Sequence, residues 1–509
     1  MKTEKEIFLG TMQSQTDLII KKLLKREVFN SGKVGIFAVG HDTYWKQFPG
    51  LKEKILNHYY FFIEKLKSKA NCRIIPFLEL CDNSHKAFEV GNFFSSQDLN
   101  IIFCYVATYS PSANALPVVQ RANVPVVLLG LQPSLGMNYE KATTAVQLEN
   151  DNITSLPEIA GVLLRANQKL RDVIVGYLYE DEEKWKKILN WCDVATVLDG
   201  LKNARVGLLG HVYEGMLDMN SDPTIFDAHF KMHVEHIEID DLAKIIKEVK
   251  EKEVKERIEL IKNIFDFPDP KVDPITEKVE EKDLIWPAKV SCGMDKLFEK
   301  FKLTGLAYYY RGLDGNENEK LHAAMIIGNS LLTSRGYPVA GELDLKNCIA
   351  MLIMDRLGAG GSFAEFHPID FKKDFVLVGH DGPHHLLVAD GRPVLRKLKV
   401  YHGKRGFGPS VEYRIKTGPI TILGLTQTYN GRFKMIIAEG ESLPGPIPAT
   451  GNTNTRGKFK PDVKTFLERW TMEGPTHHFA LGIGHIGEKI EMVGRCLGIE
   501  AAIVTPKEK

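Results

Sequence analysis

Over residues 1–175, short apolar runs rich in valine and isoleucine alternate with amphipathic stretches. Continuous apolar strands separated by helical patterns are the signature of a parallel sheet covered by helices. KVGIFAVG (33–40), CRIIPFLEL (72–80), NIIFCYVA (100–107) and VPVVLL (124–129) read as strands, and the spacing predicts helices over Leu51–Lys67, His85–Phe94 and Ala113–Ala122. In such a sheet, ligands meet the loops at the C-terminal ends of the strands. Two of those loops carry polar candidates: Gly40-His41-Asp42-Thr43-Tyr44 and Thr108-Tyr109-Ser110-Pro111. The Asp, Thr and Ser in them serve equally well as ordinary helix caps.

The same texture continues over residues 176–335. ARVGLLG (204–210) and HVEHIEI (233–239) read as core strands, followed by one long charged helix from Asp241 to Phe265. An acidic connection broken by prolines (265–283) and a helix over Lys320–Arg335 complete this part. From 336 the pattern changes: Asp344 caps a helix that ends at the glycines of RLGAGG, and beyond Phe375 the period becomes two. DFVLVGH, HHLLVAD, VLRKLKVY, VEYRIKTG, PITILGLTQTY and RFKMIIAEGE read as strands joined by tight turns such as Asn430-Gly431. A helix over Gly487–Leu497 and a short strand, AAIV, finish the chain. The expected fold is therefore α/β, with three domains (1–175, 176–335 and 336–509). The first two are Rossmann-like, flavodoxin-like parallel-sheet domains, and the third is mostly antiparallel β and barrel-like.

Composition narrows the function classes. The 66 basic and 65 acidic side chains nearly cancel, which gives no long-range pull toward nucleic acid or an anionic membrane and points to small-molecule chemistry or self-association. Seven cysteines are scattered without a CxxC pair and read as reduced thiols of a cytoplasmic protein. The charged start, MKTEKEIFLGTMQSQ, is unlike a signal peptide, and no run reaches the roughly 18 apolar residues of a membrane span.

Three sets of residues compete as a site. Gly482-Ile483-Gly484-His485-Ile486-Gly487 fits the dinucleotide fingerprint, with Glu500 downstream, but too little chain follows for the βαβαβ unit that gives the fingerprint its meaning. His229, His233 and His236 with Glu235 have helical metal-site spacing, yet a period of two puts His233 and His236 on opposite faces of a strand. The third set is Glu342 in PVAGELD, Glu365 in GGSFAEFHPID, His380 in VLVGHDGPHH, and His477 and His478 in EGPTHHFALGIGH. Each stands near a glycine and an expected element end. Carboxylate and imidazole without cysteine suit manganese or a similar ion better than thiolate zinc.

PVAGELD, GGSFAEFHPID, DFVLVGHDGPHH, TGPITILGLTQT and EGPTHHFALGIGH resemble segments of the L-arabinose isomerase family, within the arabinose and fucose isomerase superfamily. The resemblance covers the C-terminal part most fully and reaches the loop TYSPSANAL more weakly. It implies that Glu342, Glu365, His380 and His478 are metal ligands, that the two glutamates are the acid and base, and that His477 touches the sugar. Manganese is the implied ion, with cobalt and magnesium as alternatives. Aldose–ketose isomerisation of L-arabinose or a related pentose or 6-deoxyhexose, through an ene-diol, is the implied reaction. A fucose isomerase-like enzyme and a non-catalytic sugar-binding relative are the alternatives. His41, Tyr44, Met216 and Tyr308 are expected to be further sugar contacts, though Gly40-His41-Asp42-Thr43-Tyr44-Trp45 departs from the family's GSQHLYG-like loop. The resemblance also implies a homotrimer or hexamer with shared sites.

Overall fold

The predicted strands of the first region pair side by side, all parallel, in the structure, a computed structural model that describes residues 15–26, 32–311, 315–398 and 408–506. The charged N-terminal start lies outside the described residues, as does the end of the predicted strand 394–401. Close contacts divide the chain into two units, residues 29–200 and residues 1–28 with 201–509.

In the unit 29–200, β1 (Lys33–Val39), β2 (Arg73–Cys81), β3 (Ile101–Val106), β4 (Val126–Gln132) and β5 (Leu170–Tyr177) form one sheet in the order β2-β1-β3-β4-β5. That order is the flavodoxin-like one, with its switch point between β1 and β3. β3 is buried along its whole length, as expected of an inner strand covered on both faces. The predicted helix 113–122 begins later. A 3₁₀ turn, Ser112–Asn114, precedes the helix Leu116–Ala122, whose first turn holds Pro117, and the Asn114 amide donates to Gly40 O at 2.9 Å. β5 carries polar Arg171 and Asp172 and lies at the sheet edge, where half-exposed positions weaken the apolar signal.

The second unit starts with another parallel sheet: β6 (Arg205–Gly210), β7 (His233–Ile237), β9 (Gly305–Tyr309) and β10 (Val339–Ala340), in the order β10-β9-β6-β7. β8 (Thr276–Glu277) lies in the proline-broken connection and pairs with β13 (Val394–Leu398), which also pairs with β14 (Ser410–Glu412). The remaining strands are β11 (Gly360–Asp370), β12 (Phe375–His380), β15 (Gly418–Gln427), β16 (Phe433–Leu443), β17 (Thr453–Phe459) and β18 (Phe479–Ile483). They pair antiparallel in a ring: β15-β18-β11-β12-β17-β16 and back to β15. A ring leaves no free edge. β19 (Glu500–Ile503) adds parallel to the start of β16, before β17 takes over that edge.

Several elements differ from expectation. The long helix 241–265 is two, Ile239–Lys247 and Glu251–Ile264, because Val249 turns into the core and Glu253 restarts the helix by accepting from Lys250 N at 3.0 Å. The helix 320–335 is likewise two, Glu317–Ala323 and Ile326–Ser334, the first capped by Asn316. HHLLVAD is a buried 3₁₀ turn, not a strand: its first N–H groups go to side chains, Leu386 N to Ser334 Oγ at 2.8 Å and His385 N to Ser362 Oγ at 3.3 Å, and Val388 N and Ala389 N close the turn on His385 O and Leu386 O. VEYRIKTG keeps only its first residues as strand. No helix among the described residues is long and apolar enough to cross a membrane.

Candidate metal centre

Four segments bring their side chains to one end of the barrel unit. After β10 the chain passes through Glu342 and Leu343, both in the left-handed region at φ 55° and 58°. Such a conformation strains residues other than glycine and persists only where the surroundings impose it. Leu343 N donates to Tyr308 O at 3.0 Å, Tyr213 N reaches Glu342 O at 3.5 Å, and Asp344 caps the helix Leu345–Arg356 through Asn347 N at 2.9 Å. The sharp turn is thus pinned on both sides.

Glu365 lies on β11 opposite Gly379 of β12, and His380 ends β12. Phe363, two residues before Glu365, shares its face of the strand and is fully buried. Its ring centroid lies 4.8 Å from His380 and 4.3 Å from His478, so it forms the floor beneath both imidazoles. His477 and His478 stand immediately before β18.

The donor atoms form two overlapping triads that share His478: Glu342, His477, His478, and Glu365, His380, His478, each with its ligand atoms within 4.8 Å of one another. His478 Nε2 is 3.2 Å and His477 Nε2 3.7 Å from Glu342 Oε2, and His380 Nε2 is 3.8 Å from Glu365 Oε1. On the far side of each ring stands a carboxylate. His478 Nδ1 meets Asp344 at 3.1 Å, His477 Nδ1 meets Asp218 at 2.8 Å, and His380 Nδ1 lies 3.2 Å from Asp381. Ionised carboxylates only accept, so the Nδ1 atoms of His477 and His478 carry protons and donate. The Nε2 lone pairs are left facing inward, the arrangement that outer carboxylates impose on metal-binding histidines.

Glu342 Oε2, His477 Nε2 and His478 Nε2 are buried and lack a hydrogen bond of acceptable geometry. Leaving one such atom unpaired costs about 1–3 kcal/mol; a cation would take up Glu342 Oε2 and His478 Nε2, and His477 Nε2 faces the same point and is left for a polar ligand atom beside it. Positive charge is favoured at this point, whether a cation or protons on the imidazoles supply it. Burial raises the Glu342 pKa, but His477 and His478 outweigh it and hold the carboxyl well below its usual range. Burial lowers His478, yet Asp344 and Glu342 push it up to about 9.

Two family descriptions match this chain: "L-arabinose isomerase central domain" over residues 220–360 and "L-fucose isomerase, C-terminal domain" over residues 395–504. The L-arabinose isomerase 1 of Bacillus licheniformis is 22% identical over 430 residues, covering 83% of this chain and 84% of its own. The L-arabinose isomerase of Aeromonas salmonicida is 21% identical over 423 residues, 79% and 80% of the two chains. That of Nocardioides is 22% identical over 410 residues, 77% and 78%. The chain thus matches one domain described for arabinose isomerase and another described for fucose isomerase, each over part of its length. It is an enzyme of the sugar isomerase class. A solved UDP-N-acetylglucosamine 2-epimerase overlays at a TM-score of only 0.14 and has no bearing on the fold.

The other expected residues are not members of the two triads. Tyr308 is held by Asn329, whose amide donates to its hydroxyl at 2.6 Å, and its carbonyl supports Leu343. Met216 precedes the 3₁₀ turn Leu217–Met219, its N–H on Tyr213 O. His41 and Tyr44 belong to the unit 29–200, where their rings cluster with Tyr109 past the ends of β1 and β3. The GxGxxG string does open a helix, but Gly487 N donates to the Glu439 carboxylate at 2.7 Å, so a side chain already occupies that helix start. His233 and His236 are exposed on β7. Sequence reasoning missed Asp218, Asp381, Phe363 and the second role of Asp344. Only Asp344 left a trace, as a helix cap.

Proposed function

We propose that this isomerase is metal-dependent and interconverts L-arabinose and L-ribulose, or a closely related pentose or 6-deoxyhexose pair. The observation that carries the reading is the convergence of Glu342, Glu365, His380 and His478 in two triads that share His478, with Glu342 Oε2 and His478 Nε2 buried and lacking a hydrogen bond. Two carboxylates and two imidazoles suit manganese, with cobalt or magnesium as alternatives. Such an ion, bound there, supplies Lewis acidity at the sugar's carbonyl and neighbouring hydroxyl oxygens.

The chain's own residues move the protons. Isomerisation takes a hydrogen from the carbon beside the carbonyl and returns one to the former carbonyl carbon, through an ene-diol, while a proton passes between the two oxygens. Glu342 and Glu365, one in each of the two triads that share His478, are the acid–base pair. Glu342 is held ionised by its histidine neighbours, and Glu365 is a third exposed and open to substrate. Phe363 closes the floor against water. His477, Met216 and Tyr308 contact the rest of the sugar, and His41 and Tyr44 come from another copy of the chain, in a homotrimer or hexamer with shared sites. The cytoplasm is the compartment this activity suits.

Incubation of manganese-loaded protein with a panel of aldoses, read as ketose formed, tests the reaction and its preference. Chelator-stripped protein should be inactive and recover with manganese. Glu365→Gln should lose about 10²–10⁴-fold in kcat while still binding the ion; full activity in chelator or in this variant sinks the reading.

A further inference from the structure

Among the three inward-facing histidines, His477 alone is outside the ligand set of the proposed function, yet it is held as firmly as the others. One oxygen, Asp218 Oδ2, accepts both from His477 N at 3.0 Å and from its Nδ1 at 2.8 Å. The two bonds fix backbone and ring together, so the imidazole cannot turn about χ2 without giving up one of them. Its Nε2 then points toward Glu342, 3.7 Å away, buried and without a hydrogen bond. That atom is the one left to address a ligand.

Asp218 comes from a 3₁₀ turn, Leu217–Met219, in a loop whose own side chains are largely exposed. Such a turn has little to hold it. Lys346 does so: 1% exposed, it sends its ammonium to Met219 O at 3.1 Å, Asn220 O at 3.4 Å and Ser221 Oγ at 2.7 Å. All three donors of the ammonium are used. Lys346 sits in the first turn of the helix that Asp344 caps, and Asp344 in turn holds His478. One helix start therefore sets both imidazoles, His478 through its cap and His477 through the gripped turn.

We propose that Asp218 is a positioning residue that aims His477 Nε2 at a hydroxyl of the sugar, and that Lys346 fixes the turn carrying it. The proposal rests on the isomerase reading of the site. Its mechanism is orientation, which makes Asp218 and His477 one functional unit whose losses do not add.

The test uses the full chain loaded with Mn(II) and the unreactive sugar alcohol arabinitol. Asp218→Ala and His477→Ala should each weaken arabinitol binding about tenfold by calorimetry. The double variant should be no weaker than the worse single one. Mn(II) affinity, read by electron paramagnetic resonance, should stay within twofold throughout. For the aldose turned over by the wild type, KM should rise about tenfold in Asp218→Ala with kcat within threefold, and Asp218→Asn, which keeps an acceptor oxygen, should recover part of the loss. Additive losses in the double variant overturn the proposal, as does an unaltered arabinitol affinity and KM in Asp218→Ala. A matching fall in Mn(II) affinity overturns it too, since His477 would then be a ligand. A wild type that binds arabinitol in this pattern but isomerises no aldose would instead sink the isomerase reading and leave the positioning intact.

Discussion

Phe363 shows how much of a polar site is decided by an apolar residue. Its ring touches both His380 and His478 and is fully buried, so it sets how closely two imidazoles from different strands approach. Phe363→Ala should cost about 3–5 kcal/mol of stability, as large-to-small core substitutions do. Because both rings lose their floor, Mn(II) affinity should fall as well; denaturant titration and metal titration of one variant check the two effects together. Glu342 makes the complementary point. Its positive φ marks strain stored at the residue whose carboxylate the histidines hold ionised, and no side-chain pattern in the sequence announces that backbone.

The helix Leu345–Arg356 organises the site as an element. At its start Asp344 accepts from Asn347 N and from His478 Nδ1. Asp344→Ala should therefore lose about 1 kcal/mol as a cap and about 10–100-fold in metal affinity through the freed imidazole, whereas an ordinary cap would show only the first loss. At its other end Asp355 gathers Arg26 at 2.7 Å, Arg356 at 2.6 Å and His385 at 3.0 Å, all largely buried. Burial raises the Asp355 pKa, but Arg26, His385 and Arg356 outweigh it and hold the carboxyl far below its usual value. Burial lowers the His385 pKa despite Asp355. Both folded pKa values are depressed, so the stability each contributes is present above its unfolded value and is lost as pH falls. His385 titrates first, below its ordinary value of about 6.5, and Asp355 follows below about 3.9. Denaturation midpoints should fall between pH 7 and pH 5 and drop further toward pH 3; a flat profile would contradict the cluster's role.

For the whole molecule, a metal bound at the proposed centre would couple chemistry to stability. The centre lies entirely within the unit 1–28 with 201–509. An ion that binds the folded state at 100 times its Kd adds about 2.7 kcal/mol. Mn(II) should accordingly raise the thermal transition of that unit and leave a transition of the unit 29–200 where it is. Glu342→Ala should abolish the shift, and calorimetry with and without chelator reads both.

The sequence by itself determined the fold class and the residue types of the site. Apolar periodicity is a local property, so the parallel strands β1 to β4, the period-two strands of the barrel and the closing helix Gly487–Leu497 could be read directly. Glu342, Glu365, His380, His477 and His478 stood out for the same local reason, a ligand-type side chain beside a glycine at an element end. Only the tertiary structure decided what depends on partners distant in sequence. HHLLVAD is a turn because Ser334 and Ser362 take the N–H groups of Leu386 and His385, and the barrel closes because β15 returns to β16. Asp218 matters because folding brings it 259 residues along the chain to His477. Hydrogen bonds and charge pairs between remote segments leave no period in a sequence, whereas burial of one face of a strand or helix does.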